Sequence, residues 1–139
     1  MVPGIQPSRR SALLVLLTAG LGVLLPRRAT AFVRRLAHPT PRAGITGAKV
    51  LTAADLTKSP HLVELFDSIR AIPQLADGIG CHCGCAELSS HYSLLSCYEA
   101  DAMAKSCPIC QGEGRVTVRL AKAGKSLHDI RVAIDAQFG

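Results

Sequence analysis

The sequence predicts a mostly α fold, a small helical domain of three to four short helices around a cysteine-rich loop, preceded by a signal peptide and a flexible tail. Three observations predict it. Apolar residues recur at helical spacing in two stretches, Leu62-Leu65-Phe66-Ile69 and Leu127-Ile130-Ile134-Phe138. Proline, glycine and N-cap residues punctuate those stretches where helices start and stop. All 6 cysteines fall between residues 81 and 110, and none lies earlier in the chain.

Residues 1–31 read as the signal peptide. Arg9 and Arg10 form a charged start, Ser11 to Leu25 is an apolar run ending at Pro26, and Ala29-Thr30-Ala31 is a small-x-small cleavage site. The run is shorter than the roughly 20 residues that span a bilayer comfortably, so membrane association is expected only if the segment stays uncleaved. Ser8-Arg9-Arg10-Ser11-Ala12-Leu13 resembles a twin-arginine signal, the address of a route that exports folded proteins, with Ala12 where that pattern prefers Phe and Leu14 where it prefers Lys. The expected destination is periplasmic or otherwise extracytoplasmic.

Residues 32–48 mix Pro, Gly, Thr and Arg without periodicity and read as a flexible linker, with His38 as a solvated tail residue. The formal charge of +6 comes largely from the signal. Four of the 16 Lys and Arg lie there and no acidic residue does, which leaves twelve against 10 acidic residues, a net of about +2. With that balance, and with only 2 Tyr, 3 Phe and no Trp for base stacking, nucleic acid is excluded as a partner.

The domain proper is expected over 49–139. Ser59-Pro60 reads as an N-cap followed by a proline at the first helical position, and Pro73 closes the segment that follows. Gln74 to Asp77 has room for one further turn before Gly78 and Gly80 break it. Pro108 to Ala123 is expected to be helical with Gly124 as terminator, although Gly112, Gly114 and the run Val116-Thr117-Val118 disfavour it. Ser126 and Asp129 form a capping box for the last helix, with Asp in place of the usual Glu or Gln. A domain this size seldom draws more than about 3–5 kcal/mol from its core alone, so the cysteines are expected to staple it.

Three chemistries suit these cysteines. A disulfide framework fits the even count and an oxidising compartment. A metal site uses the same residues more economically. In an extended segment Cys81, Cys83 and Cys85 would project to one side about 6.5–7 Å apart, with Gly84 allowing a tight turn. Cys107-Pro108-Ile109-Cys110 is a C-x-x-C pair and Cys97 adds a further sulfur. His91 is a candidate ligand beside the cysteines, and His82, flanked by them, would point away from their focus. Six thiolates suit zinc or copper(I). A structural zinc site contributes on the order of 10 kcal/mol, against about 2–4 kcal/mol for a disulfide. The third chemistry is thiol–disulfide exchange, with Cys107 at a helix start where the helix field favours a thiolate.

The blocks "CHCGC", "SHYSLLSCYE", "CPICQ" and "LAKAGKSLHDIRVAIDAQFG", in that order, resemble the bacterial proteins of unknown function named for a PCYCGC motif. Cys81, Cys83, Gly84 and Cys85 match the name-giving motif, and His91, Ser93, Leu94, Leu95, Cys97, Cys107, Ile109 and Cys110 match later blocks. Gly80 stands where the motif has Pro and His82 where it has Tyr, and "AMAKSC" lacks a His that relatives often carry. The resemblance implies an exported protein with one shared thiolate site and implies no activity. A fainter similarity links "CPICQ" and "AGKSLHDIRVAIDAQFG" to the small helical thiol-reductant subunit of cytochrome c maturation, which implies thiol–disulfide exchange.

Taken together, the expected function is an exported metal-binding protein for storage, delivery or sensing, with zinc or copper held by Cys81, Cys83, Cys85, Cys97, Cys107, Cys110 and His91. Its expected partners are the metal ion and a metal-accepting or redox protein. Six sulfurs with no patterned base beside them point to binding, not catalysis. The alternatives are a thiol–disulfide redox protein and a disulfide-stapled interaction module.

Overall fold

The computed structural model describes residues 37–84 and 91–139. The signal segment and Cys85 lie outside the described residues. The described residues contain four α-helices and no strand beyond a single antiparallel bridge between Val50 and Glu99. None of these helices is long and apolar enough to cross a membrane.

Pro60–Leu62 forms a 3-10 turn that runs into α1 (Val63–Arg70). Ser59 stands at the N-cap as expected, but its side chain makes no capping hydrogen bond, and Pro60 starts the turn through its fixed φ alone. Leu65, Phe66 and Ile69 form the buried stripe of α1. Pro73 both ends that segment and opens α2 (Pro73–Asp77) at its first position. Two more 3-10 turns, Leu95–Tyr98 and Met103–Lys105, lead into α3 (Pro108–Lys122). Gly124, at φ 70°, reverses the chain into α4 (Leu127–Phe138). There the capping box is complete: the Asp129 N–H donates to the Ser126 hydroxyl and the Ser126 N–H to the Asp129 carboxylate.

The glycines in α3 have a packing reason. A Cβ on Gly114 would collide with the Tyr98 hydroxyl, which passes there to donate to the Cys110 carbonyl at 2.7 Å. The Tyr98 ring meets Phe66 edge-on at a centroid distance of 4.8 Å. Tertiary packing thus overrides a local propensity cost of about 1 kcal/mol for the glycine.

Residues 37–48 differ from the flexible linker that the sequence suggests. They are an irregular strap lying on the helices. The Arg42 backbone N–H and guanidinium donate to the Asp77 carboxylate at 2.7–3.2 Å, and Ser93 donates to the same group at 2.7 Å. The Arg42 guanidinium also stacks over Tyr92, whose hydroxyl donates to the Thr40 carbonyl at 2.6 Å. Arg131 on α4 donates to the carbonyls of Pro39 and Gly78. Long-range polar contacts of this kind leave no periodic trace in a sequence. At Asp77, burial raises the carboxyl, but the bonds from Arg42 and Ser93 outweigh it and hold the group below its ordinary value.

Candidate metal centre

Two elements bring three sulfurs together. The loop after α2 supplies Cys81 and Cys83, and the first turn of α3 supplies Cys110. The Sγ–Sγ distances are 3.2 Å for Cys81–Cys83, 3.5 Å for Cys81–Cys110 and 3.5 Å for Cys83–Cys110. These three thiols are not joined in disulfides, since their separations exceed the roughly 2.05 Å of that bond. The loop is not the extended segment assumed from sequence. It turns at 82–84, with Gly84 at φ 85°, and the turn draws Cys81 and Cys83 far closer than an extended strand would. The Leu94 N–H to the Ile79 carbonyl, at 2.8 Å, pins the start of the loop.

Of the other predicted donors within the described residues, Cys97 and Cys107 adjoin this triangle. Cys97 is fully buried in the 3-10 turn, and its thiol interacts with those of Cys81 and Cys110. Cys107 is the half-buried N-cap of α3, and its thiol interacts with Cys110. His91 is half-buried at the start of the second described segment, and the three-sulfur group does not include it. Cys110 therefore faces the loop sulfurs as well as Cys107, so the C-x-x-C sequence is not an isolated redox pair.

Electrostatics favour the protonated form of Cys81 and Cys110. Hydrogen bonding with Cys110, followed by burial and the nearby Glu113 charge, pushes Cys81 well above the ordinary thiol range. For Cys110 the contact with Cys81 works downward, but Cys97 and burial prevail and the group is raised as well. A cation reverses this logic, because a coordinated thiol loses its proton.

Beside the sulfurs lies a network that sequence reasoning missed. His82 points away from the sulfur focus, as expected, and is held by two carboxylates: Nδ1 lies 2.7 Å from Glu113 Oε1 and Nε2 lies 3.2 Å from Asp135 Oδ1. Both ring nitrogens therefore face carboxylate oxygens. Glu113 Oε1 also accepts the His82 backbone N–H at 2.9 Å, which ties α3 to the loop residue between the two thiols.

His38, read from sequence as a solvated tail residue, is part of this network. Its Nδ1 accepts the Gly80 N–H at 3.0 Å, so Nε2 carries the proton and donates to Asp135 Oδ1 at 3.0 Å. Burial, the largest influence on His38, lowers its pKa from the ordinary value and favours this neutral form. Glu113 was discoverable in principle: it lies one helical turn after Cys110 and so shares its face. For His38 and Asp135, 97 residues apart, no sequence signal exists.

A surface groove of about 360 Å3, lined by His61, Leu65, Arg115, Val118 and Arg119 among others, contains no cysteine. The arrangement of Cys81, Cys83 and Cys110 could hold a metal ion. Compared with known proteins, the chain matches no family model, no curated protein and no solved structure.

Proposed function

We propose that this is an exported, cysteine-rich metal-binding protein whose thiolate site holds zinc or copper for storage, delivery or sensing. The observation that carries the reading is the sulfur triangle of 3.2–3.5 Å in a buried setting. Three mutually close thiols cannot all bridge in pairs among themselves, whereas one soft cation satisfies all three. With metal–sulfur bonds of about 2.3 Å, tetrahedral geometry separates sulfurs by about 3.8 Å, so loading asks each pair to open by only a few tenths of an ångström.

Cys97 and Cys107 sit next to the triangle as further sulfur donors, suited to a larger cluster or to hand-off toward a partner. Export by the twin-arginine route fits this reading, since thiols loaded with metal in a reducing cytoplasm cross already protected from oxidation. Similarity to the PCYCGC proteins supports a shared thiolate site on the same blocks.

The test is an anaerobic titration of the reduced full chain with Zn(II) and with Cu(I) against a chromogenic chelator. The expected result is stoichiometric binding with release of thiol protons, lost in Cys110→Ser. Binding that is absent, or unchanged in Cys110→Ser, contradicts the reading.

A further inference from the structure

We infer that the groove between α1, α2 and the later turns of α3 is a docking site for an acidic amphipathic helix of a partner protein. The groove lies outside the sulfur triangle, and the inference does not depend on the metal reading.

Two adjoining stretches make up the groove, of about 360 and 320 Å3, and they share Ser68, Val118 and Lys122. Its floor is apolar, lined by Leu65, Ile72, Leu75, Val118 and Ala121. One wall is cationic. Arg115, Arg119 and Lys122 follow one another at i, i+4 and i+7, so they stand on one face of α3. All three are exposed, and none of the ion pairs among the described residues involves them. Of the 10 acidic residues in the chain, only Glu64 lines the groove. Like charges at helical spacing repel one another, so an anionic partner would relieve this wall.

Shape and charge together select the occupant. A bilayer surface is broad and leaves a concave floor unfilled. A helix is about 10–12 Å across and lays apolar side chains at i, i+3, i+4 and i+7 into such a groove. Acidic residues along one edge of that helix would then pair with Arg115, Arg119 and Lys122, giving an apolar core with a polar rim. The N-terminal part of this chain is unsuited to the role. Residues 1–36 contain Arg9, Arg10, Arg27, Arg28, Arg34 and Arg35 and no Asp or Glu, so the wall would repel them.

The test is selection of helix-forming peptides from a randomised display library on the purified full chain, with the selected peptides measured by fluorescence anisotropy. Enrichment of peptides with apolar residues at helical spacing and Asp or Glu along one edge is expected. Their affinity should fall about tenfold or more in Arg115→Glu/Arg119→Glu, where like-charge contact replaces pairing, and should fall with added salt. Lys in place of the peptide's acids should restore binding to that variant and abolish it for the wild type. Val118→Arg, which obstructs the floor and keeps the charges, should weaken the same peptides comparably. Absence of enrichment, selection of neutral or basic peptides, or equal affinity for wild type and both variants overturns the inference. Two further results overturn it if no peptide is selected. Phosphatidylglycerol vesicles that bind the wild type and not the charge-reversed variant would make the face a membrane contact. Self-association that the same variant loses would make it an interface between copies of the chain.

Discussion

Two polar clusters meet at residues 81–83, and they are built on opposite terms. In the imidazole–carboxylate cluster, His38, His82, Glu113 and Asp135 are matched to one another at 2.7–3.2 Å. Together with the Arg42–Asp77 clamp, it holds the strap, the loop and α4 in register with no added component. In the sulfur cluster, Cys81, Cys83 and Cys110 lie 3.2–3.5 Å from one another with Cys97 and Cys107 adjoining, and thiols are weak donors and weak acceptors. The difference teaches that the charged network is held by its own matched partners, whereas the sulfur network gathers weakly bonding groups that could hold a cation.

The sharpest way to break this comparison is to take the cation away. Stripping a loaded sample with a strong chelator should lower unfolding free energy by an amount on the order of 10 kcal/mol if the site behaves as a structural thiolate centre. Thermal melts followed by circular dichroism, with and without chelator, measure it. A melt that the chelator leaves in place would put the sulfurs on the same self-sufficient footing as the charged groups.

Next in size is the charged side. Arg42→Ala leaves the buried Asp77 carboxylate with only the Arg42 backbone N–H and the Ser93 hydroxyl, and should cost about 1–3 kcal/mol, the loss expected for bonds to a charged group. Metal affinity should be unchanged in that variant, which chemical denaturation and metal titration on the same preparation can check together.

The two clusters should also respond to pH in opposite directions. Asp77 is held below its ordinary value of 3.8, so its contribution is present above that pH and is lost as pH falls through the lowered value. His38, lowered from 6.5, adds to the loss on the acid side, beginning as pH falls below 6.5. Cys81 and Cys110 are raised above 9.0, so in the metal-free protein their contribution is present below pH 9.0 and is lost as pH rises beyond it. Metal-loaded protein, with thiolates already formed, should lack that alkaline limb. Urea midpoints across pH for both forms will reveal whether the limb is there.

The smallest effect belongs to a site outside both clusters. Ser126→Ala removes the cap of α4 and should cost about 1 kcal/mol, with no change in metal affinity. A larger loss of binding would mean that α4, through Asp135, positions the loop more strongly than the comparison allows.

What the sequence reveals here is what its physics makes local. The capping box at Ser126 and Asp129, Pro108 and Cys110 in one helical turn, and the stripe of Leu65, Phe66 and Ile69 all concern neighbours within a few residues. The cysteines announce thiolate chemistry by their density alone. The shape of the loop was not legible: alternate cysteines suggest an extended strand, yet the backbone turns at 82–84 and gives His82 two carboxylate partners that lie 31 and 53 residues further on. The strap was hidden for the same reason, since Arg42 and His38 act through long-range bonds to Asp77 and Asp135 and not through a repeating pattern. Gly114 read as a helix weakener because its real partner, Tyr98, comes from another element.

The measurement that bears most directly on the central claim is metal content and free-thiol count on one sample of native protein purified without oxygen. The account predicts at least one zinc or copper ion per chain, with Cys81, Cys83 and Cys110 shielded from alkylation until a chelator removes it. Metal-free material with these three cysteines oxidised, and with folding indifferent to chelators, would contradict it.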